Sequence, residues 1–393
     1  MRILFNIIFS AILAIGLVGF WALFLNLWKP KKKWPAWVGY IIIIGAWFAA
    51  IRYYILNQVD LYGTMYYPLM NMFRTESYGF LFGVFLAIPV FIILSLLYWT
   101  INKIWSKTPE ENRTGRRAFF RTAATIVPLA TIGGSSYAAF AGQQELVVTH
   151  ESFGYTNLPP GLKNYKIVQL SDIHIGPSID LDDFDEILKL ALLQKPNRVV
   201  ITGDLIDKLA WLPQVCERLT TFAKQIPDGV DFILGNHEYH HDVNKVLDAL
   251  KRNTPMNILV NSNIQIMGGK QPVYIAGVAY DNDRKKDNRE VMINKALSGI
   301  PDYAFVILLA HHPEFFEESI ERKIPLTLSG HTHGGQIVFM GMPLVPTGTP
   351  YTKGRYVEEQ SVCYVNNGTG HWFPIRINCP REITVITFFD GVA

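Results

Sequence analysis

Histidine is absent from the first 149 residues of this 393-residue chain, and all ten histidines lie from His150 onward. Chemistry that depends on imidazole is therefore confined to the second part. Cysteine is almost as scarce. Cys216, Cys363 and Cys379 are the whole set, and none has Cys-x-x-Cys spacing. That excludes a small disulfide scaffold, allows at most one disulfide, and reads as buried small side chains. Charge is sparse at 18%, against roughly 25% in an average soluble chain. Acidic residues are rarest in the first part. Residues 1–142 hold 13 Lys/Arg and 4 Asp/Glu, a net of +9, whereas residues 143–393 hold the remaining 23 and 29, a net of −6. The formal total of +3 describes neither part.

Long uncharged runs fill the basic part. Ile3–Trp28 and Ser77–Asn102 are each 26 residues without a charge, beyond the ~20 needed to cross a bilayer core. A third span is expected near 34–56 and a weaker fourth near 122–144, which is uncharged but carries Pro128, Gly133-Gly134 and many alanines. The expected organisation is thus an all-α transmembrane bundle of about four spans over 1–144, followed by a globular domain over 145–393. Lys29-Pro-Lys-Lys-Lys33 and the Lys103–Arg121 loop concentrate positive charge, which marks those loops as cytoplasmic. A fourth span would place the globular domain outside the cytoplasmic membrane. A segment 122–144 that only lies on the surface would keep it inside. Arg116-Arg-Ala-Phe-Phe-Arg121 resembles a twin-arginine export signal, and Ala139-Phe-Ala141 a small-residue cleavage site. The same arginines also suit a basic juxtamembrane loop on anionic lipid.

The acidic part alternates strands and helices. Strands are predicted at 165–170, 198–202, 230–234, 273–278, 305–310, 325–328, 362–365 and 383–388, with helices at 181–194, 211–226 and 242–252. Such βα alternation implies a mainly parallel sheet early on. The strand-rich finish from 325 suggests a second, more antiparallel sheet. Polar residues gather after the strands, where α/β sheets bind ligands. They are Asp172 and His174, Asp204 and Asp207, Asn236 and His237, His311, and His331 and His333.

Five blocks in order carry a family resemblance: Asp172-Ile-His174, Gly203-Asp204, Gly235-Asn-His-Glu238, Ala310-His-His-Pro313 and Gly330-His-Thr-His-Gly-Gly-Gln336. The stretch from about 145 to 389 resembles the calcineurin-like metallophosphoesterases. The last block, with Tyr351-x-x-Gly-x-Tyr356 and Gly368-Thr-Gly370 after it, is similar to bacterial membrane-associated members. The resemblance implies a four-layer αββα sandwich and a site for two divalent metals. Asp172, His174 and His333 would hold one, Asn236, His311 and His331 the other, and Asp204 would bridge them. Mixed nitrogen and oxygen ligation suits Mn, Fe or Zn better than Mg or Ca. His237, next to ligand Asn236, suits a general acid, and the resemblance implies Asp207 as the residue that orients it, a solvated loop carboxylate being the alternative. Of the adjacent pair, the His-x-Pro form selects His311, and an extended chain would turn His312 away. His240 and His241 read as exposed. His371 suits either a pocket mouth or the core, and Asp281–Arg289 reads as a solvated loop.

Three functions remain open on sequence. One is a membrane-anchored phosphomonoesterase or phosphodiesterase, acting on a lipid-linked or small phosphoester outside the cytoplasmic membrane. Another is a cytoplasm-facing pyrophosphatase of the UDP-diacylglucosamine type. The third is a non-catalytic membrane receptor or scaffold, disfavoured because all seven ligand positions are filled. The −6 charge of the second part disfavours a nucleic-acid substrate.

Overall fold

A computed structural model describes residues 61–104, 110–280, 285–371 and 375–391, together with Gly45 and Phe48. The expected spans at 3–28 and 34–56 lie outside the described residues, those two positions apart. The chain divides into two units, Met1–Gln143 and Gln144–Ala393.

In the first unit, helix α1 (Tyr67–Ile104) is 38 residues long, about 57 Å at 1.5 Å per residue. Among the described residues it is the one helix long and apolar enough to cross a membrane. It contains the predicted 77–102 span and begins earlier, at Tyr67. Helix α2 (Glu110–Gln144) runs unbroken from the twin-arginine-like segment through 122–144. Its polar first turns and small residues leave it short of the apolarity that α1 has. Of the four expected spans, two fall on described residues; of these, 77–102 lies in such a helix and 122–144 does not. α1 and α2 approach very closely where α1 offers Gly79-x-x-x-Gly83. A Cβ at Gly79 would lie 2.8 Å from the Ser136 Cα, and one at Gly83 2.6 Å from the Ile132 Cα. Small residues at this spacing let helix backbones pack together in a membrane.

The second unit is built on two six-stranded sheets. The first contains β1 (Leu146–Tyr155), β2 (Lys166–Leu170), β3 (Arg198–Ile201), β4 (Val230–Phe232), β5 (Asn257–Ile258) and a late strand, β14 (Arg381–Asp390). β2 to β5 run parallel. Helices α3 (Leu181–Leu193), α4 (Leu212–Ala223) and α6 (Val243–Asn253) lie between these strands in the chain, and the six-residue α5 (Asn236–His241) precedes α6. The start of α3 has a local cause: the Asp180 carboxylate accepts from the Asp182 and Asp183 N–H groups, and Asp183 accepts from the Asp180 N–H. β14 returns to pair in parallel with all ten residues of β1, so the two ends of the unit share a sheet.

The second sheet contains β6 (Ser262–Met267), β7 (Val273–Gly277), β8 (Phe305–Leu309), β9 (Leu326–Ser329), β12 (Gly354–Glu358) and β13 (Ser361–Val365), with α7 (Lys286–Leu297) and α8 (Phe315–Glu321) interposed. Its four central strands are parallel and both edges antiparallel. It starts at Ser262 and is mixed, which corrects the expectation of an antiparallel sheet from 325. A two-stranded hairpin, β10 (Val338–Phe339) with β11 (Met342–Pro343), stands apart from both sheets.

Strand periodicity sorts the core. Ile275, Ile307, Leu309, Leu326 and Leu328 pack with Ile167, Val200, Ile386 and Phe388 from the first sheet. The alternate residues Ala276, Val306 and Leu308 pack with Ile293 and Ala296 of α7. The sheets thus lie face to face, with α7 on the outer face of the second. The charged run 281–289 is not a solvated loop throughout, because α7 begins at Lys286 and Arg289 is buried. Arg289 donates to the carboxylates of Glu314, Glu317 and Glu318, partners that come from the α8 region.

Candidate metal centre

The predicted polar residues follow the C-terminal ends of β2, β3, β4, β8 and β9, and the fold brings them together. Adjacent loops are stitched by backbone bonds from Asp172 N to Gly203 O and from His174 N to Asp204 O, each 3.0 Å. Asp172, His174, Asp204, His331 and His333 all have positive φ, between 51° and 71°. For non-glycine residues this costs of order 1–3 kcal/mol each, and such outliers gather at functional sites. Gly330 is obligatory for a separate reason: a Cβ there would lie 2.2 Å from Asp172 Oδ2.

Two groups of donor atoms face each other. In one, His174 Nε2 lies 3.1 Å from His333 Nε2, and His333 Nε2 lies 3.6 Å from Asp172 Oδ1. In the other, Asn236 Oδ1 lies 3.0 Å from His311 Nε2 and 2.9 Å from His331 Nδ1. Asp204 Oδ2 stands between the groups, 3.3 Å from His311 Nε2 and 3.6 Å from His174 Nε2. Its other oxygen accepts from the His237 backbone N–H at 2.8 Å. Except for half-buried His331, all seven residues are buried.

The hydrogen bonding shows what this cluster requires. His311 Nδ1 sits 2.7 Å from the Thr202 carbonyl, which can only accept, so Nδ1 carries a proton. In the neutral ring Nε2 is then a bare lone pair, aimed at an amide oxygen and a carboxylate oxygen. Lone pairs converging on lone pairs call for a positive charge between them, a proton on Nε2 or a metal ion. The charges of the site say the same. Burial disfavours a charged His311, but Asp204 and Asp172 outweigh it and push the imidazole up to about 10. Three groups could each hold a metal ion: Asp172/His174/His333, Asp172/Asp204/His311 and His174/Asp207/His237. The residues present therefore fit a divalent cation.

Asp207 lies beside the cluster. Its Oδ1 is 2.6 Å from His237 Nδ1, 3.4 Å from His174 Nδ1 and 3.3 Å from His241 Nε2. Burial would raise this carboxyl, yet nearby His174 and the hydrogen bonds from the three rings hold it well below the usual range. Burial likewise opposes a charged His237, but the Asp207 hydrogen bond and the charges of Asp204 and Asp207 raise it to about 9. His241 is thus drawn in to Asp207, contrary to the expectation of surface exposure, whereas His240 is exposed. His312 does not turn away either. The chain bends at 311–314 instead of running extended, so its ring packs 4.6 Å from that of His331. His371 is buried.

Two residues that shape the site carried no clear role in the sequence. Glu238 is fully buried, and its carboxylate accepts from Gly235 N (2.7 Å), Asp204 N (3.0 Å) and Leu205 N (2.8 Å). It ties the Asp204 loop to the start of α5, and its signal was only its place in Gly-Asn-His-Glu. Arg376 is buried and donates to the carbonyls of Cys379 (3.1 Å), Asn367 (2.9 Å) and Gly370 (2.7 Å). It fixes the Gly368-Thr-Gly370 turn and lies outside every motif. Glu238→Ala should strand three buried N–H donors at about 1–3 kcal/mol each. A clear fall in melting temperature is expected, and an unchanged melt would show that other acceptors replace the carboxylate.

Comparison with known proteins agrees with this geometry. The family model described as calcineurin-like phosphoesterase matches residues 165–335. An uncharacterized metallophosphoesterase of Campylobacter jejuni is 30% identical over 353 residues, covering 88% of this chain and 87% of its own length. The uncharacterized metallophosphoesterase YkuE of Bacillus subtilis is 30% identical, over 65% of this chain and 90% of its own. A transmembrane protein with metallophosphoesterase domain from Danio rerio is 28% identical, over 77% and 71%. The family model and these relatives mark a phosphoric ester hydrolase. The chain belongs to the calcineurin-like metallophosphoesterase family.

Proposed function

We propose that this chain is a membrane-anchored phosphohydrolase, using two divalent cations to cleave a lipid-linked or small phosphoester outside the cytoplasmic membrane. The observation that carries the reading is the pair of facing acceptor groups with Asp204 Oδ2 between them. Asp172, His174 and His333 would hold one cation, Asn236, His311 and His331 the second, and Asp204 would be shared. Manganese, iron and zinc suit this nitrogen and oxygen donor set. When bound, such cations lower the pKa of water towards neutrality and polarise phosphoryl oxygens.

The chain's own residues would do the rest. Asp207 accepts the Nδ1 proton of His237 and so leaves Nε2 as the end that gives a proton to the departing oxygen. The same carboxylate faces His174 Nδ1, which presents His174 Nε2 to the cluster. Asp207 is in this reading a positioning residue for both rings. Bis-p-nitrophenyl phosphate with the full-length protein in detergent tests the reaction. Hydrolysis that appears with manganese is expected, and equal hydrolysis after complete chelation would contradict it.

The location rests on positive charge in the loops and on α2. The close antiparallel fit of α1 and α2 at Gly79 and Gly83 supports a crossing by α2. Relatives named as transmembrane proteins support membrane association. A C-terminal alkaline phosphatase fusion should be active and a C-terminal green fluorescent protein fusion dark. The reverse pair of results would put the site inside and favour the cytoplasm-facing pyrophosphatase.

A further inference from the structure

The hairpin β10–β11 follows directly on the Gly330–Gln336 block and faces solvent with an apolar surface. Met340 is 83% exposed and Met342 65%, and Phe339, Leu344 and Val345 are exposed beside them. Exposed apolar patches of contiguous residues mark interaction sites. The turn is a tight one: Met340 and Gly341 have φ of 49° and 81°, the two-residue turn that twists with its strands. A methionine held in the left-handed region at the tip is an unfavourable choice for a turn that served only to reverse the chain.

The hairpin is also fastened to the site. A Cβ at Gly335 would lie 2.4 Å from the Pro343 Cβ, so β11 packs directly on the His333-Gly-Gly turn. Leu344 N donates to Ile337 O at 2.8 Å, and Val338 N to Ile377 O at 3.0 Å. The hairpin and the loop after it, residues 337–352, carry no charged residue of either sign. In a unit of net −6, that uncharged stretch brings no like-charge repulsion toward an anionic surface.

We propose that this hairpin inserts into the interfacial layer of a lipid bilayer and so presents the site to phosphoesters anchored there. The inference rests on the reading of the chain as a membrane-anchored phosphohydrolase, and it narrows the substrate to one held at the bilayer surface. The occupant is lipid because the same chain carries α1, a helix long and apolar enough to cross a membrane. Only Glu145 separates the end of α2 from β1 in the chain. Anchoring supplies a high local concentration of bilayer, and an apolar tip then needs little further affinity.

The test uses full-length protein reconstituted in vesicles of phosphatidylcholine and phosphatidylglycerol. The native cysteines are all buried, so Met340→Cys offers one accessible site for an environment-sensitive fluorophore. Tyr303→Cys, on an exposed position elsewhere, is the control. At 340, quenching by doxyl-labelled lipid and protection from iodide are expected, with the opposite at 303. Iodide quenching at 340 would overturn the proposal. So would protection from both quenchers, which would mean that a protein surface covers the hairpin. The double variant M340D/M342D should lose about tenfold or more of its activity on a vesicle-borne phosphodiester, as expected for two apolar side chains moved out of lipid. Its hydrolysis of soluble bis-p-nitrophenyl phosphate should be unchanged. A lipid-quenched label on a protein that cleaves neither ester would fail the catalytic reading and uphold the position of the hairpin.

Discussion

Asp204→Asn should lower kcat/KM for a phosphodiester by about 10³-fold or more and weaken metal binding. The reason lies in its two oxygens. One is held by the His237 N–H, and the other faces both donor groups. Replacing the carboxylate removes one negative charge from between them, or turns an N–H toward donors that need a cation. Metal-ion catalysis supplies several kcal/mol of charge stabilisation, and each 1.36 kcal/mol is worth about tenfold in rate. Fold should survive, because the Asp204 backbone is held independently by Glu238 and by the bond to His174 N. Metal content and activity measured on the same folded sample decide the matter. Full activity with normal metal content would remove Asp204 from its proposed place.

The second large effect concerns proton transfer. His237→Asn should reduce kcat by about 10²- to 10⁴-fold on an alkyl phosphoester, the range expected for loss of a positioned general acid. The loss should be far smaller on a p-nitrophenyl ester, whose leaving group departs without a proton. An equal loss on both would mean that His237 acts on binding or on the metals. Asp207→Asn should follow the same leaving-group pattern more weakly. It should also lower metal affinity, since Asp207 faces His174 as well.

Much of this was readable in advance, and the reasons are local. Strands such as Arg198–Ile201 and Phe305–Leu309 are short apolar runs that end in a motif, and the motif marks where each strand stops. The seven donor residues were legible because each follows a strand end, and parallel strands deliver such ends to one edge. What escaped depended on distant partners. Arg289 looked solvated because Glu314, Glu317 and Glu318 stand 25–29 residues further on. β1 could not be placed before its partner β14 was known. Arg376 reaches backbone carbonyls, which leave no trace in side-chain patterns. His312 departs from the extended-chain expectation because the backbone bends at 311–314. Gly79 and Gly83 sit in an apolar run whose length drew attention away from its small residues.

Catalysis in this reading depends on cations held by the facing donor groups. Removing all metal from the full-length protein and titrating manganese back tests it most directly, with bound metal and hydrolysis of bis-p-nitrophenyl phosphate followed together. Negligible hydrolysis is expected in the metal-free protein, with a return of activity that tracks filling to two ions per chain. Hydrolysis that persists without metal, or activity complete with no ion bound, would contradict it.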